Sequence, residues 1–394
     1  MTPAARGQSA IELLDAVIAA ARAQSAPADR ILADWFKAHR FAGSKDRRAI
    51  RDLVYDAIRA CGPVPPSGRA AMLRLAELRP DIAALFDGSP YGPAAIAPGE
   101  LAASGGAVPE WLAAELRNSG IGNKVMASLS ARAPLDVRVN ALKTQRARLA
   151  LPQPGEPLAT PEGLRFASGT PVESWPEYAE GLIEVQDLGS QLIVEALPIA
   201  PGETIIDLCA GAGGKTLALA ARLGNAAEII AADTDKRRLG NLAPRAARAG
   251  ARIAHTVLLD PGREMTALEP WAARADHVLV DAPCSGSGTW RRSPEARWRI
   301  DTAGLARLTA LQDHVLDLAA MLVRPGGTIG FVTCSLLDAE GPDRIAAFLA
   351  RHPQWHTQPI NIAAPTTARG GGQRLDPVIT GSDGFFVALL KTPC

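Results

Sequence analysis

Thr204-Ile205-Ile206-Asp207-Leu208-Cys209-Ala210-Gly211-Ala212-Gly213-Gly214-Lys215-Thr216 is the stretch that decides the fold. Thr204–Leu208 is a short β-branched and apolar run, as in a buried strand. Gly211–Gly214 is a turn, and a helix follows over Lys215–Leu223. Strand, glycine turn and helix in that order open a doubly wound sheet. Toward the C-terminus the pattern repeats, with strands expected at Glu228–Asp233, Ile253–Leu259, His277–Asp281 and Thr328–Thr333. Between the last two, Leu308, Leu311, Val315, Leu318 and Leu322 form a helical stripe that stops before Pro325-Gly326-Gly327. Gly384–Leu390 reads as a closing strand. The expected architecture is α/β, a Rossmann-like parallel doubly wound domain.

Toward the N-terminus the periodicity changes. Leu135, Val137 and Val139 alternate with Asp136 and Arg138, a strand pattern within a small α/β domain. Before it the chain reads as helical: Ile11, Leu14, Ile18 and Ala21 share one face. Ser44 is placed to cap a second helix carrying Ile50, Leu53, Val54, Ala57 and Ile58. The expected division is a helical domain over 1–130, a small α/β subdomain over 131–180 and the Rossmann-like domain over 181–394.

The chain has 394 residues, 47% of them hydrophobic, enough for a large core. Lys+Arg 42 against Asp+Glu 41 gives a net charge of +1, which excludes a uniformly basic nucleic-acid binder but not a basic face. Five widely spaced cysteines form no CxxC pair, so neither a metal site nor a disulfide framework is expected. No run of about 18 apolar residues appears. A soluble, cytoplasmic monomer is the expectation, with no membrane partner.

Ligands of doubly wound sheets bind beyond the carboxyl ends of the strands. The glycine turn alone is compatible with NAD, with S-adenosylmethionine or with tight packing. A phosphate-binding P-loop needs glycine where Cys209 stands, and the dinucleotide pattern would put Thr216 at its third glycine. Asp233 suits ribose hydroxyls and Asp260 an adenine amino group, although a single Asp in such a place equally serves as a turn or cap residue. Carboxylates closing four successive strands (Asp207, Asp233, Asp260 and Asp281) favour a cationic, phosphate-free ligand, and S-adenosylmethionine is a sulfonium cation.

Asp281-Ala282-Pro283-Cys284 and Thr333-Cys334-Ser335 follow two further strands, so both thiols should reach one crevice. With Arg138-Val139-Asn140, Gln186-Asp187, Arg291-Arg292, Pro294-Glu295, Trp298-Arg299, Leu311-Gln312 and Asp383-Gly384-Phe385-Phe386, these motifs resemble the RsmB/NOP-Sun family of RNA cytosine carbon-5 methyltransferases. The resemblance covers roughly residues 109–391. The N-terminal stretch around Gly43–Arg47 is similar to the NusB-like RNA-binding domain of its ribosomal-RNA members.

The resemblance implies S-adenosylmethionine as cofactor, held by Asp207, Cys209, Ala210, Gly211, Ala212, Gly213, Gly214, Lys215, Asp233, Asp260 and Asp281. It implies Cys334 as nucleophile on carbon 6 of cytosine, Cys284 as the thiol assisting release and Asp281 as the group holding the base edge. Residue types alone do not say which cysteine attacks. Two departures stand out: Ala212 where the family has proline, and Ala339-Glu340-Gly341 where it has an acidic pair and asparagine. Arg291, Arg292, Arg297 and Arg299, with Trp290 and Trp298, are the expected RNA contacts. The implied partner is 16S ribosomal RNA. Transfer RNA and a catalytically silent assembly role are the alternatives.

Overall fold

The computed structural model describes residues 1–393; Cys394 lies outside them. The chain divides into two units, residues 1–131 with 289–305, and residues 132–288 with 306–394.

The first unit is built on α1 (Pro3–Arg22), α2 (Ala28–Ala38), α3 (Ser44–Ala60) and α4 (Gly68–Leu78). Thr2 caps α1 by accepting from the Ala5 amide, and Pro3 presets its first turn. Leu13, Leu14, Val17, Ile50, Val54, Ile58, Ala71 and Met72 make a common core. Gly68 is required there, because a Cβ would sit 2.2 Å from the Ile11 carbonyl oxygen. The cap of α3 is Gly43 rather than the expected Ser44, which is the first helical residue and makes no capping bond. The two differ by one position, at the end of the helix where assignment is least sharp.

Residues 289–305 group with these helices, not with the sequence around them. Glu295 accepts from the Ala28 amide at the start of α2 (3.2 Å), and Arg297 donates to the Ile58 and Cys61 carbonyls at the end of α3 (2.7 Å each). An acid at a helix N-terminus and a base at a C-terminus is the favourable pairing with both macrodipoles. Trp298 joins the core and donates to the Gly62 carbonyl at 3.0 Å.

The second unit opens with β1 (Leu135–Val139), β2 (Glu156–Pro157), β3 (Gly163–Phe166) and β4 (Ile183–Val185), an antiparallel sheet of order β2-β3-β1-β4. The expected 131–180 subdomain is therefore redrawn: its last strand lies beyond 180, and it shares a unit with the Rossmann-like sheet. Asn140 contributes by donating to the Gly181 and Ala249 carbonyls at 2.8 and 2.7 Å.

The large sheet contains β5 (Thr204–Asp207), β6 (Glu228–Asp233), β7 (His255–Leu258), β8 (Ala275–Asp281), β9 (Val323–Thr333), β10 (His356–Gln358), β11 (Thr367–Arg369), β12 (Gly372–Leu375) and β13 (Phe385–Lys391). Its order is β11-β12-β13-β9-β8-β5-β6-β7, with β10 beside β13. The five strands β7-β6-β5-β8-β9 are parallel, as expected of a Rossmann-like domain. The others are antiparallel, so the sheet is mixed rather than wholly parallel. A two-residue turn joins β11 to β12, with Gly370 and Gly371 both at positive φ (49° and 80°), and so tight a connection permits only an antiparallel pair. Strand order reverses between β5 and β8, which makes a crevice at their carboxyl ends.

Candidate active site

That crevice is a cavity of about 680 Å³. Parallel strands deliver their last residues to one edge, and Asp207, Asp233, Asp281 and the two thiols Cys284 and Cys334 all line it.

The loop after β5 is shaped by two left-handed glycines. Gly213 (φ 85°) is the N-cap of helix Gly214–Arg222, and a Cβ there would meet Leu242 at 2.1 Å. Gly211 (φ 55°) donates its amide to Asp233 at 2.7 Å. Asp233 also accepts from the Asp235 amide at 2.7 Å, so it braces the loop as well as facing the cavity. Cys209, Ala210, Ala212, Gly214 and Lys215 line the cavity, while Gly211 and Gly213 set the loop's course from behind. Ala212, where the family has proline, leaves a carbonyl that accepts from Arg245 at 2.7 Å.

Asp207 is 1% exposed. One oxygen accepts from the Thr216 hydroxyl at 2.7 Å and the other has no partner. Burial pushes its carboxyl up to about 7, against the Thr216 hydrogen bond and with help from the Asp281 charge. Lys215 pairs with Asp281 at 2.6 Å and lies 5.6 Å from the centre of the Phe385 ring. Burial works to lower its ammonium, but Asp281 outweighs that and the net direction is upward, so Lys215 is a cation beside the thiols.

The sulfurs of Cys284 and Cys334 are 3.2 Å apart. Contact with Cys334 pushes the Cys284 thiol well above its usual range, as do burial and the charges of Cys334 and Glu340. Burial likewise keeps Cys209 a protonated thiol. The four described cysteines, Cys61, Cys209, Cys284 and Cys334, are all free.

Not every expected residue reaches the site. Asp260 is exposed on the loop after β7 and is not part of the cavity wall; Leu259 and the buried Glu264 stand there instead. Glu264 accepts from the Gly262 amide at 3.0 Å and hydrogen-bonds His314 at 3.1 Å. No sequence pattern marked it. Gln186 also lines the cavity, accepting from Arg138 at 2.7 Å, which ties two of the family motifs together.

The arginine and tryptophan expectation needs correction. Arg297 is 1% exposed and both terminal nitrogens are bonded to backbone carbonyls, and burial drags its pKa down to about 10. Trp290 and Trp298 are buried as well, so none of the three presents a face to a nucleic acid. Arg291 is 7% exposed, and Arg292 and Arg299 are partly exposed.

The mixed sheet, the glycine loop and the cavity at the switch point define a Rossmann-like domain of the methyltransferase kind. Residues 194–391 match the model of the 16S rRNA methyltransferase RsmB/F family, and the chain belongs to that family. Over 301 residues it is 36% identical to "Probable ribosomal RNA small subunit methyltransferase B" of Synechocystis sp., covering 72% of this chain and 66% of that protein. Over 210 residues it is 38% identical to ribosomal RNA small subunit methyltransferase B of Thermus thermophilus, covering 53% and 50%. The chain thus spans half to two thirds of the length of these curated relatives.

Among solved structures, NSun6 from Pyrococcus horikoshii with SFG matches with a TM-score of 0.62 and 20% identity, covering 72% of this chain and 98% of that one. A methyltransferase homolog protein from Pyrococcus horikoshii matches with 0.59 and 24%, covering 72% and 95%. At these identities both speak to the fold.

Proposed function

We propose that this chain methylates carbon 5 of a cytosine in RNA, with small-subunit ribosomal RNA as substrate and S-adenosylmethionine as methyl donor. The observation that carries the reading is the pair of thiols 3.2 Å apart beside an ion-paired Asp281, in a cavity walled by carboxylates.

The unpartnered oxygen of Asp207 fits a cationic ligand, since a buried carboxylate without a donor is costly and an ammonium group would satisfy it. Asp233 and Glu264 offer further acceptors to a nucleoside. When bound, S-adenosylmethionine supplies an electrophilic methyl group.

The residues of the chain do the rest. Carbon 5 of cytosine is a poor nucleophile until a thiolate adds to carbon 6. Cys334 gives its proton to solvent and forms that S–C6 bond; the C5–C6 π electrons move into C4–C5 and those of C4–N3 onto nitrogen 3, which carries a proton for the life of the adduct at the base edge that Asp281 holds. Lys215, 2.6 Å from Asp281, steadies the negative charge around the attacking sulfur. Carbon 5 then takes the methyl group and gives up its proton to solvent. The C6–S bond breaks, the double bond returns, and Cys284, held as a thiol, hydrogen-bonds the departing Cys334 sulfur. A duplex would shield the base, so the target cytosine is unpaired or flipped out.

Bisulfite sequencing of total RNA from cells with and without this protein tests the proposal. One ribosomal cytosine should lose its protection from deamination in the depleted cells. Loss at a transfer-RNA cytosine would replace the substrate, and no change at any cytosine would overturn the activity in favour of a silent assembly role.

A further inference from the structure

The family resemblance leaves Glu340 unassigned, in a stretch where this chain departs from the pattern. Its carboxylate is fully buried six residues beyond the Cys334 nucleophile candidate. Four donor contacts converge on its two oxygens. The Ser285 amide donates at 2.8 Å, the Ser335 hydroxyl at 2.6 Å and Gln312 Nε2 at 3.2 Å, and the Ser285 hydroxyl completes the set. A carboxylate is an acceptor at every lone pair, so this environment satisfies it.

The donors are informative by position. Ser285 follows Cys284, and Ser335 follows Cys334. One side chain therefore grips the residue next to each thiol. Gln312 extends the clamp by donating to the Pro283 carbonyl at 2.8 Å, on the other side of Cys284. Ser287 and Ser335 hydroxyls meet at 2.9 Å, and the Gly288 amide donates to the Cys334 carbonyl at 3.0 Å, so the two loops are laced together below the sulfurs. From the other end, the Thr333 hydroxyl donates to the Glu340 carbonyl at 3.0 Å and fixes where that side chain starts.

We propose that Glu340 is a positioning residue for the reaction: its carboxylate holds the loops carrying Cys284 and Cys334 so that both sulfurs face one point. This rests on the two-thiol reading above. Loops are the mobile part of such a sheet, and two strand ends carry no direct bond between their cysteine side chains other than the sulfur contact itself. A misplacement of about 1 Å at a reacting group costs on the order of a hundredfold in rate. A carboxylate that fixes both loops at once is a device for avoiding it.

The test reads geometry apart from chemistry. The full-length protein is treated with a bis-alkylating bimane that bridges neighbouring thiols, and the Cys284–Cys334 cross-linked peptide is quantified by mass spectrometry. Turnover and S-adenosylmethionine affinity are measured alongside. In Glu340→Ala, bridging should fall at least several-fold and kcat about a hundredfold, with cofactor affinity unchanged. Glu340→Gln keeps an acceptor for the Ser285 amide and Gln312, and the two serine hydroxyls can turn to accept from its amide. It should restore bridging and most of kcat.

Bridging and kcat at the wild-type level in Glu340→Ala would overturn the proposal. If Glu340→Ala does not fold, Glu340→Asp decides, because its carboxylate is one methylene too short to hold both loops: reduced bridging supports the clamp and wild-type bridging contradicts it. Failure of the two-thiol reading looks different. Bridging would respond to Glu340 as expected, but Cys334→Ala would still turn over.

Discussion

Asp207 at the end of β5 and Arg297 in the 289–305 segment are each 1% exposed, and burial shifts each toward its neutral form. They are used in opposite ways. Arg297 has both terminal nitrogens committed to carbonyls, two of them at the end of α3, so its charge is spent on the scaffold. Asp207 keeps one oxygen without a partner in the wall of a cavity. Arg297 also keeps a buried Nε without a partner, so an unpaired buried atom does not by itself mark a binding site. What separates the two is place: the open oxygen of Asp207 belongs to a residue of a cavity wall, and Arg297 lines no part of that cavity. The same contrast separates Trp298, closed into a helical core, from Cys284 and Cys334, which open onto the crevice.

Three substitutions test that contrast. The largest expected effect is at the crevice: Cys334→Ala should abolish methyl transfer while the protein still binds S-adenosylmethionine by calorimetry. Wild-type turnover in this variant would remove Cys334 from the role of nucleophile.

Next comes the scaffold side. Arg297→Ala strips the donor from three buried carbonyls, those of Pro294, Ile58 and Cys61, and should cost about 3 kcal/mol of stability, read as an earlier denaturant midpoint. RNA affinity of the folded fraction should keep its salt dependence. A reduced salt slope with unaltered stability would return Arg297 to the RNA-binding surface.

The third substitution is at Asp207. Its carboxyl is raised from the usual carboxylate range to about 7, so the folded chain binds more protons than the unfolded chain between those values. The resulting stabilisation is full below the unfolded pKa and is lost as pH rises through about 7. Thermal melts of the ligand-free protein from acid to neutral pH should show that decline, and Asp207→Asn should flatten it. In the same window, S-adenosylmethionine should bind the wild type more tightly as pH rises, because the ionised carboxylate is the form that meets a cation. An identical pH profile in Asp207→Asn would deny Asp207 both roles.

Much of the crevice was legible in the sequence because it depends on local order. A strand of β-branched residues, a glycine turn and a helix start can be read along the chain, and parallel strands then bring their ends together. The strands β5, β6 and β8 include the expected residues almost to the position, and so do the cysteines behind β8 and β9.

What escaped depends on the return of distant chain. The antiparallel edge that makes the sheet mixed depends on β13 returning beside β9 and on the Gly370-Gly371 turn that folds β11 onto β12, pairings between segments whose partners no local pattern names. Residues 289–305 sit in sequence between two parts of one unit yet fold with the other, so an arginine-rich run that reads as an RNA face is closed onto helices formed more than 230 residues earlier. Glu340 was noticed as a departure from a motif, but nothing along the chain says that Ser285, 55 residues before it, donates to it. Asp260 fitted the rhythm of acidic strand ends and still fell outside the cavity wall, because the loop after β7 turns Leu259 and Glu264 inward instead.

In the proposed reaction Cys334 forms the bond to the base and Cys284 helps break it. The most direct measurement is to incubate Cys284→Ala protein with substrate RNA and S-adenosylmethionine, denature it, and map the RNA-linked peptide by mass spectrometry. The expected product is a denaturant-resistant adduct whose nucleotide is attached to Cys334. An adduct that instead accumulates in Cys334→Ala and maps to Cys284 would reverse the two roles and contradict the claim.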